Sequence, residues 1–367
     1  MLAFVLTIML LLLLVIVVVY AERKVAAFMQ DRLGPTEAGP YGTLQPMLDV
    51  LKLLQKEDII PTAADKKLFS IAPIIIFAAV FAGFAVIPLS PAVVASGIGI
   101  GVFYLLAIIA LDVIGLLMAG WGSNNKYAML GAMRSVAQIV SYEIPAGLAI
   151  LTAVMICQSL DFQEISYQQG VLINYFPGLE NEDNWLFGIK ALGINTTYVG
   201  GITTWNIFRA PLLFVSFVIY FIASLAECNR APFDIPEAES ELVAGFHVEY
   251  SGFRFAAFFL AEYAMMVLVS LVAVVLFLGS WNTPLPNIAG IDLANWTTGT
   301  IGNISGVLWG AFWLISKTLV LAFLQLWARW TYPRLRVDQL MHLCWKVLTP
   351  VALGLVLLAG IWRLLMI

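Results

Sequence analysis

Cysteine and histidine are nearly missing from this chain: three of the first and two of the second among 367 residues. Cys157, Cys228 and Cys344 stand far apart with no CxxC pair. That argues against an iron–sulfur cluster, a zinc site or a disulfide framework carried by the chain. Haem ligation by two histidines would consume both His247 and His342, and nothing beside either supports it. The glycines of "SGIGIGVF" (96–103) sit in an apolar run, without the strand–helix frame that a dinucleotide fingerprint needs. They read as packing or bending glycines. No metal site, catalytic residue or redox cofactor is therefore assigned to this chain. Charge is scarce as well, at 11% of residues, where soluble domains average about 25%.

What fills the chain instead is apolar: 61% of residues are hydrophobic. Runs long enough to cross a hydrocarbon core of ~30 Å as helices recur along it. Barrel strands would show short alternating segments, which are not seen. The expected fold class is an all-α polytopic membrane protein, one integral membrane domain over 1–367. Its spans are predicted near 2–21, 68–89, 93–120, 133–157, 210–227, 254–279, 304–328 and 343–365. The first segment lacks a basic n-region and a small-residue cleavage site and ends in "AERK", so it reads as a retained span.

The connections after spans one, three, five and seven carry Arg23, Lys24, Arg32, Lys52, Lys56, Lys66, Lys67, Lys126, Arg134, Arg230, Arg254, Arg329, Arg334, Arg336 and Lys346, fifteen of the 19 basic residues. By the positive-inside rule these loops face the cytoplasm or an organelle's matrix, and both termini face out. Within the first of them, 43–60 places Leu44, Met47, Leu48, Leu51 and Leu54 on one helical face, with Asp49, Lys52, Gln55 and Lys56 largely opposite. This predicts an amphipathic helix in the membrane interface, or one packed on a soluble partner. The outer loop 158–209 is long, polar and aromatic, and suggests no function.

Ionisable residues inside apolar runs are costly unless they face a cavity or a partner. Asp112, Glu143, Glu262 and Lys317 lie within spans, and Glu227 closes the fifth. The loop 228–253 that follows is acidic. Glu227, Asp234, Glu237, Glu239, Glu241 and Glu249, six of the chain's 23 carboxylates, fall in 226–252. Asp234, Pro236 and Glu237 form a helix start that Gly245 would end, so Asp234 is open to a capping role. Any one buried acid is equally open to a packing role, with Lys317 as a candidate partner. A series of acids is what a proton relay needs, and such groups titrate as a coupled set.

Four stretches carry a resemblance: "AERKVAAFMQDRLGP", "GWGSNNKYAMLGAMRSVAQIVSYEIP", "AECNRAPFDIPEAESELVAGFHVEYSGFRFAAFFLAEY" and "RWTYPRLRVDQLMHLCWK". Together they resemble the family formed by the H subunits of bacterial NADH:quinone oxidoreductase, equivalent to subunit 1 of mitochondrial respiratory complex I. The resemblance implies a multi-pass subunit of the bacterial inner membrane, where the membrane arm meets the peripheral arm. It implies a quinone entrance at Gln30, Arg32, Gly34 and Pro35, with Leu44, Met47, Leu48 and Leu51 as its sill. Arg230, Phe233 and Asp234 would line the passage. Glu143, Glu227, Glu237, Glu239, Glu241 and Glu249 would form an acidic funnel into the membrane arm, continued by Asp112 and Lys317. Quinone, ubiquinone or menaquinone, would be substrate, with FMN and iron–sulfur clusters held by partner subunits. Membrane lipid is a further expected partner and nucleic acid is not. The outer loop 158–209 departs from the compact form of the family.

Three rivals stay open. A membrane subunit of a hydrogenase or a ferredoxin-linked dehydrogenase would share fold and funnel. A self-contained ion transporter would show matched internal repeats, and none is seen. A purely structural anchor would not need acids inside spans.

Overall fold

The computed structural model describes all residues except 1, 178, 180–183, 191–192, 236–242, 288–291, 299–302 and 367, and the side chains of all of these except 2–6 and 366. The expected spans and the amphipathic helix form. They are α1 (Leu2–Met29), α2 (Gln45–Gln55), α3 (Lys66–Gly83), α4 (Gly101–Gly122), α5 (Lys126–Cys157), α6 (Pro211–Glu227), α7 (Gly252–Phe277) and α8 (Ile304–Thr331). A last rod, α9 (Thr349–Met366), is entered through Val337–His342 and a π-helical turn at Leu343–Leu348. Among the described residues six rods, the last counted from Val337, are long and apolar enough to cross a membrane. Pro211–Glu227 is a shorter apolar helix, and α1 opens with the long uncharged run of the sequence.

Several boundaries differ from expectation; α1 runs on to Met29 rather than 21, and α3 ends at Gly83 rather than 89. The third span begins at Gly101 rather than 93, because Pro88–Ser90 and Val93–Val94 pair as a short antiparallel hairpin. The fourth begins at Lys126, where Asn125 accepts the Tyr127 amide and caps the helix. The amphipathic helix is shorter than 43–60 and stops at Gln55.

The centre of the bundle is α7. Every residue from Met265 to Phe277 is buried, as expected of a helix apolar all round. Small residues let its neighbours approach. A Cβ on Gly115 of α4 would meet Ile76 of α3 at 2.3 Å, so only glycine permits that crossing. Gly131 on α5 lies against the backbone of Gly245, a residue with φ +56°.

The loops segregate to two ends. At one, Asp65 N donates to Gly122 O, Asn124 Nδ2 to Ala63 O, Ile59 N to the Ser251 hydroxyl and Leu335 N to Pro232 O. At the other, the Tyr167 hydroxyl donates to Pro91 O, Asn282 Nδ2 to Ser166 O and Asn287 N to Val199 O. The loops after odd-numbered spans thus meet at one end and the even-numbered ones at the other, as alternating passes require.

Candidate functional site

At the basic end, α1 runs past its apolar stretch and carries Glu22, Arg23 and Ala26 beyond it. The chain then folds back. Arg32 N donates to Ala27 O at 2.8 Å, Lys24 Nζ to Pro35 O at 2.7 Å, and Gly34 adopts φ +59° against Ala27. This fold-back walls a cavity of about 400 Å³ with Arg32, Gly34 and Pro35 in its lining, beside Glu22, Arg23, Gln45, Tyr263 and Trp330. Three of the predicted entrance residues are therefore brought together. Gln30 follows the helix end nearby and is exposed.

The helix α2 packs on α1 and α7. Its Leu44, Met47, Leu48 and Leu51 side chains stay about half exposed on the outer face. Asp49 points inward to Arg23 at 2.5 Å. Burial pushes the Asp49 carboxyl up, but Arg23, with Gln45 and Lys52, outweighs it and holds the carboxyl below its ordinary range.

Behind the cavity lies a charge cluster centred on Glu22. Its carboxylate receives Arg329 of α8 and stands 3.7 Å from Arg230, whose guanidinium lies 4.3 Å over the Tyr263 ring. Arg230 is buried, as are Phe233 and Asp234, and Asp234 holds Arg334 at 2.7 Å. The three predicted passage residues thus occupy one buried turn. Asp234 has an arginine partner; the helix start expected at Pro236 and Glu237 lies outside the described residues.

The acids within spans gather around α6. Glu227 lines two cavities. One is small, about 20 Å³, and is shared with Asp112, Glu262, Cys228 and Asn229. That is room for about one water. The other is about 220 Å³ and contains Glu143, Tyr220 and Gly147. Glu262 reaches onward to His247, Nε2 lying 3.3 Å from its carboxylate. Glu143, Glu227, Asp112, Glu262 and His247 therefore form one interrupted polar path through an apolar bundle. Glu249 accepts from Asn125 Nδ2 at 2.7 Å in the loop end. Glu237, Glu239 and Glu241 lie outside the described residues.

Lys317 belongs elsewhere. It is at the opposite end of the bundle, where its ammonium donates to the carbonyls of Leu278, Ser280 and Asn282 at 2.6–2.9 Å and lies 4.2 Å over the Trp205 ring. Among the described residues it forms no ion pair with a buried acid, so the proposed acid partnership is not what the fold provides. Its donors are used by the chain end of α7.

Glu22, Tyr263 and the His247–Glu262 contact were not legible as site elements. Glu22 reads as an ordinary polar flank in "AERK"; its two arginine partners are distant in sequence, one on the turn after α6 and one in the last turn of α8.

The family model described as NADH dehydrogenase matches residues 2–360. The chain is 59% identical over 359 residues to a protein of Cytophaga hutchinsonii named as an NADH-quinone oxidoreductase H subunit, the one numbered 2, covering 98% of this chain and 97% of that one. It is 52% identical over 346 residues to the NADH-quinone oxidoreductase H subunit of Chlorobium luteolum, covering 94% and 84%. Against the protein of that name from Chlorobaculum tepidum it is 53% identical over 344 residues, covering 94% and 86%. With a matching family model over nearly its whole length and relatives at this level of identity, the chain belongs to the NADH dehydrogenase family.

Proposed function

We propose that this chain is the membrane subunit of an NADH:quinone oxidoreductase that admits quinone from the bilayer and couples its reduction to proton movement. The observation that carries the proposal is the position of one short segment. Glu227 opens into both acid-lined cavities, and Arg230, three residues on, abuts Glu22 and Tyr263 of the cavity at the fold-back.

The outward apolar face of α2 suits the membrane interface and an isoprenoid tail. The cavity beside it is large enough for a quinone head-group, and Arg32 and Arg23 offer donors to its oxygens. Two unit charges 4 Å apart interact by about 4 kcal/mol at an effective dielectric near 20. A change of charge at the Arg230–Glu22 cluster is therefore felt by acids close behind it. In this reading Glu143, Glu227, Asp112 and Glu262 relay that change, with Glu237, Glu239, Glu241 and Glu249 as the loop portion of the path. Partner subunits of the peripheral arm bring the electrons, by FMN and iron–sulfur clusters that they hold, and membrane-arm partners receive the charge. The basic end faces the cytoplasm of a bacterial inner membrane.

The test uses the purified complex in liposomes carrying Glu143→Gln or Glu227→Gln. Oxidation of NADH by an artificial acceptor should stay at the parental rate, while quinone-linked proton uptake falls at least fivefold. Normal coupled turnover in both variants would remove the acids from the relay.

A further inference from the structure

Gln138 is buried on α5, the helix that carries Glu143, and it belongs to none of the acid cavities. Its Nε2 lies within hydrogen-bond distance of three acceptors: Ala226 O at 2.8 Å, Phe233 O at 2.7 Å and Asn229 Oδ1 at 3.3 Å. An amide nitrogen has two hydrogens, so the two short bonds to backbone carbonyls account for both, and the Asn229 contact is the longer, shared one. Those two carbonyls stand at either end of one turn, 226–233.

The contents of that turn make the clamp significant. Glu227 follows the first carbonyl and faces both acid cavities. Arg230 lies midway and reaches Glu22 and Tyr263. Asn229, between them, has φ +49°, a left-handed conformation uncommon outside glycine. Of the described α5 residues, Ser135 also touches this turn, through one long bond of 3.4 Å to Asn229 Oδ1. Tyr142 packs its ring on Phe233 at one end only; among the described residues of α5, Gln138 is the one that donates to both ends of the turn, from the helix of Glu143.

We infer that Gln138 is a positioning residue, which holds the 226–233 turn closed so that Arg230 and Glu227 shift together relative to Glu143. The inference rests on the reading given under Proposed function. Without the clamp, Arg230 answers quinone while Glu227 no longer follows in register. Quinone binding is then preserved and the coupled step is slowed, which separates kcat from KM.

The experiment uses the intact complex in liposomes with NADH and a short-chain quinone. Gln138→Met matches the side chain in length and cannot donate; Gln138→Glu matches it in shape. Each should oxidise NADH with an artificial acceptor at the parental rate. Quinone kcat should fall about tenfold, equivalent to ~1.4 kcal/mol of barrier, with KM within about twofold. Ser135→Ala, which loses one long bond and no clamp, should stay within twofold in both. Parental kcat in the Gln138 variants, or a raised KM at unchanged kcat, overturns the inference. Failure of both Gln138 variants to assemble overturns it too, since Gln138 would then be a folding residue. Glu227→Gln, measured alongside, separates the two readings. If it is impaired while Gln138→Met is normal, only the positioning role falls; if Glu227→Gln turns over normally, the relay itself falls and the positioning role with it.

Discussion

The guanidinium of Arg230 lies 3.7 Å from the carboxylate of Glu22, and both side chains are more than nine-tenths buried. Arg329 reaches the same carboxylate from α8. One acid thus holds two arginines, one from the turn after α6 and one from the last turn of α8, at the wall of the fold-back cavity. Taking charges out of water is expensive, and removing one partner leaves the others uncompensated, at a cost of about 3–5 kcal/mol.

Glu22→Ala should therefore lower the fraction of the chain recovered in intact complex, and what is recovered should lose its quinone activity at a lower temperature. Glu22→Gln, which keeps an acceptor oxygen, should fall between parent and alanine. Arg329→Lys should be mild, because that side chain is about a quarter exposed and water can share its solvation. An alanine variant as heat-resistant as the parent would show that solvent, not Glu22, carries the arginine charges.

The outward face of α2 makes a prediction about substrate, not stability. Leu48 and Leu51 are about half exposed and lie outside the buried core, so Leu48→Asp with Leu51→Asp should leave the fold intact in detergent. In a bilayer each loses an apolar contact with lipid or an isoprenoid tail, where a fully buried leucine gains about 1.5–3 kcal/mol. KM for a long-tailed quinone should rise about tenfold, while KM for a short-chain analogue stays within twofold. An equal rise for both quinones would place these leucines against the head-group or a protein partner.

Much of this organisation was legible because a bilayer reduces the problem to one dimension. Apolar runs near twenty residues long announced the helices, and the fifteen basic residues announced which loops share an end. The misplaced start of the third span has the same cause. The run from Val93 to Gly101 carries no charge and only one polar side chain, Ser96, so hydropathy continued the helix across a hairpin that Pro88 and Pro91 already hinted at. What hydropathy does not encode is the direction a side chain faces. Glu227 was visible as an acid at a helix end; that it opens into two cavities depends on how α4, α5 and α7 pack around it. Gln138, neutral and in the middle of a span, gave no signal at all.

Asp49 supplies a pH dependence whose sign follows from its environment. Its carboxyl is held below the ordinary value of 3.8 by Arg23, Gln45 and Lys52, against the opposing effect of burial. A carboxylate with a lowered folded value contributes stability that is complete above the ordinary value and is lost as pH falls through the folded one. Docking of α2 on α1 should thus be unchanged from pH 8 to 5 and loosen below about pH 4. Hydrogen exchange over 45–55 in nanodiscs would report it, with Asp49→Asn already loose at neutral pH. Loosening that begins near pH 6 would point to another group.

Lys317 poses the sharpest choice between a relay and a structural role. Its ammonium sits at the end of the bundle away from the Glu227 cavities, and three carbonyls just beyond α7 use its three hydrogens. A buried carbonyl left without its donor costs about 1–3 kcal/mol, and Lys317→Met would orphan three that the turn at 278–282 brings together. The variant should lose heat stability clearly, while surviving complexes keep the parental number of protons taken up per electron. Lys317→Arg should recover part of the stability, limited by the larger guanidinium over Trp205. If Lys317→Met proves heat-stable but takes up half as many protons, its carbonyl partners are incidental, and the polar path from Glu143 must extend across the apolar centre of α7 to reach it.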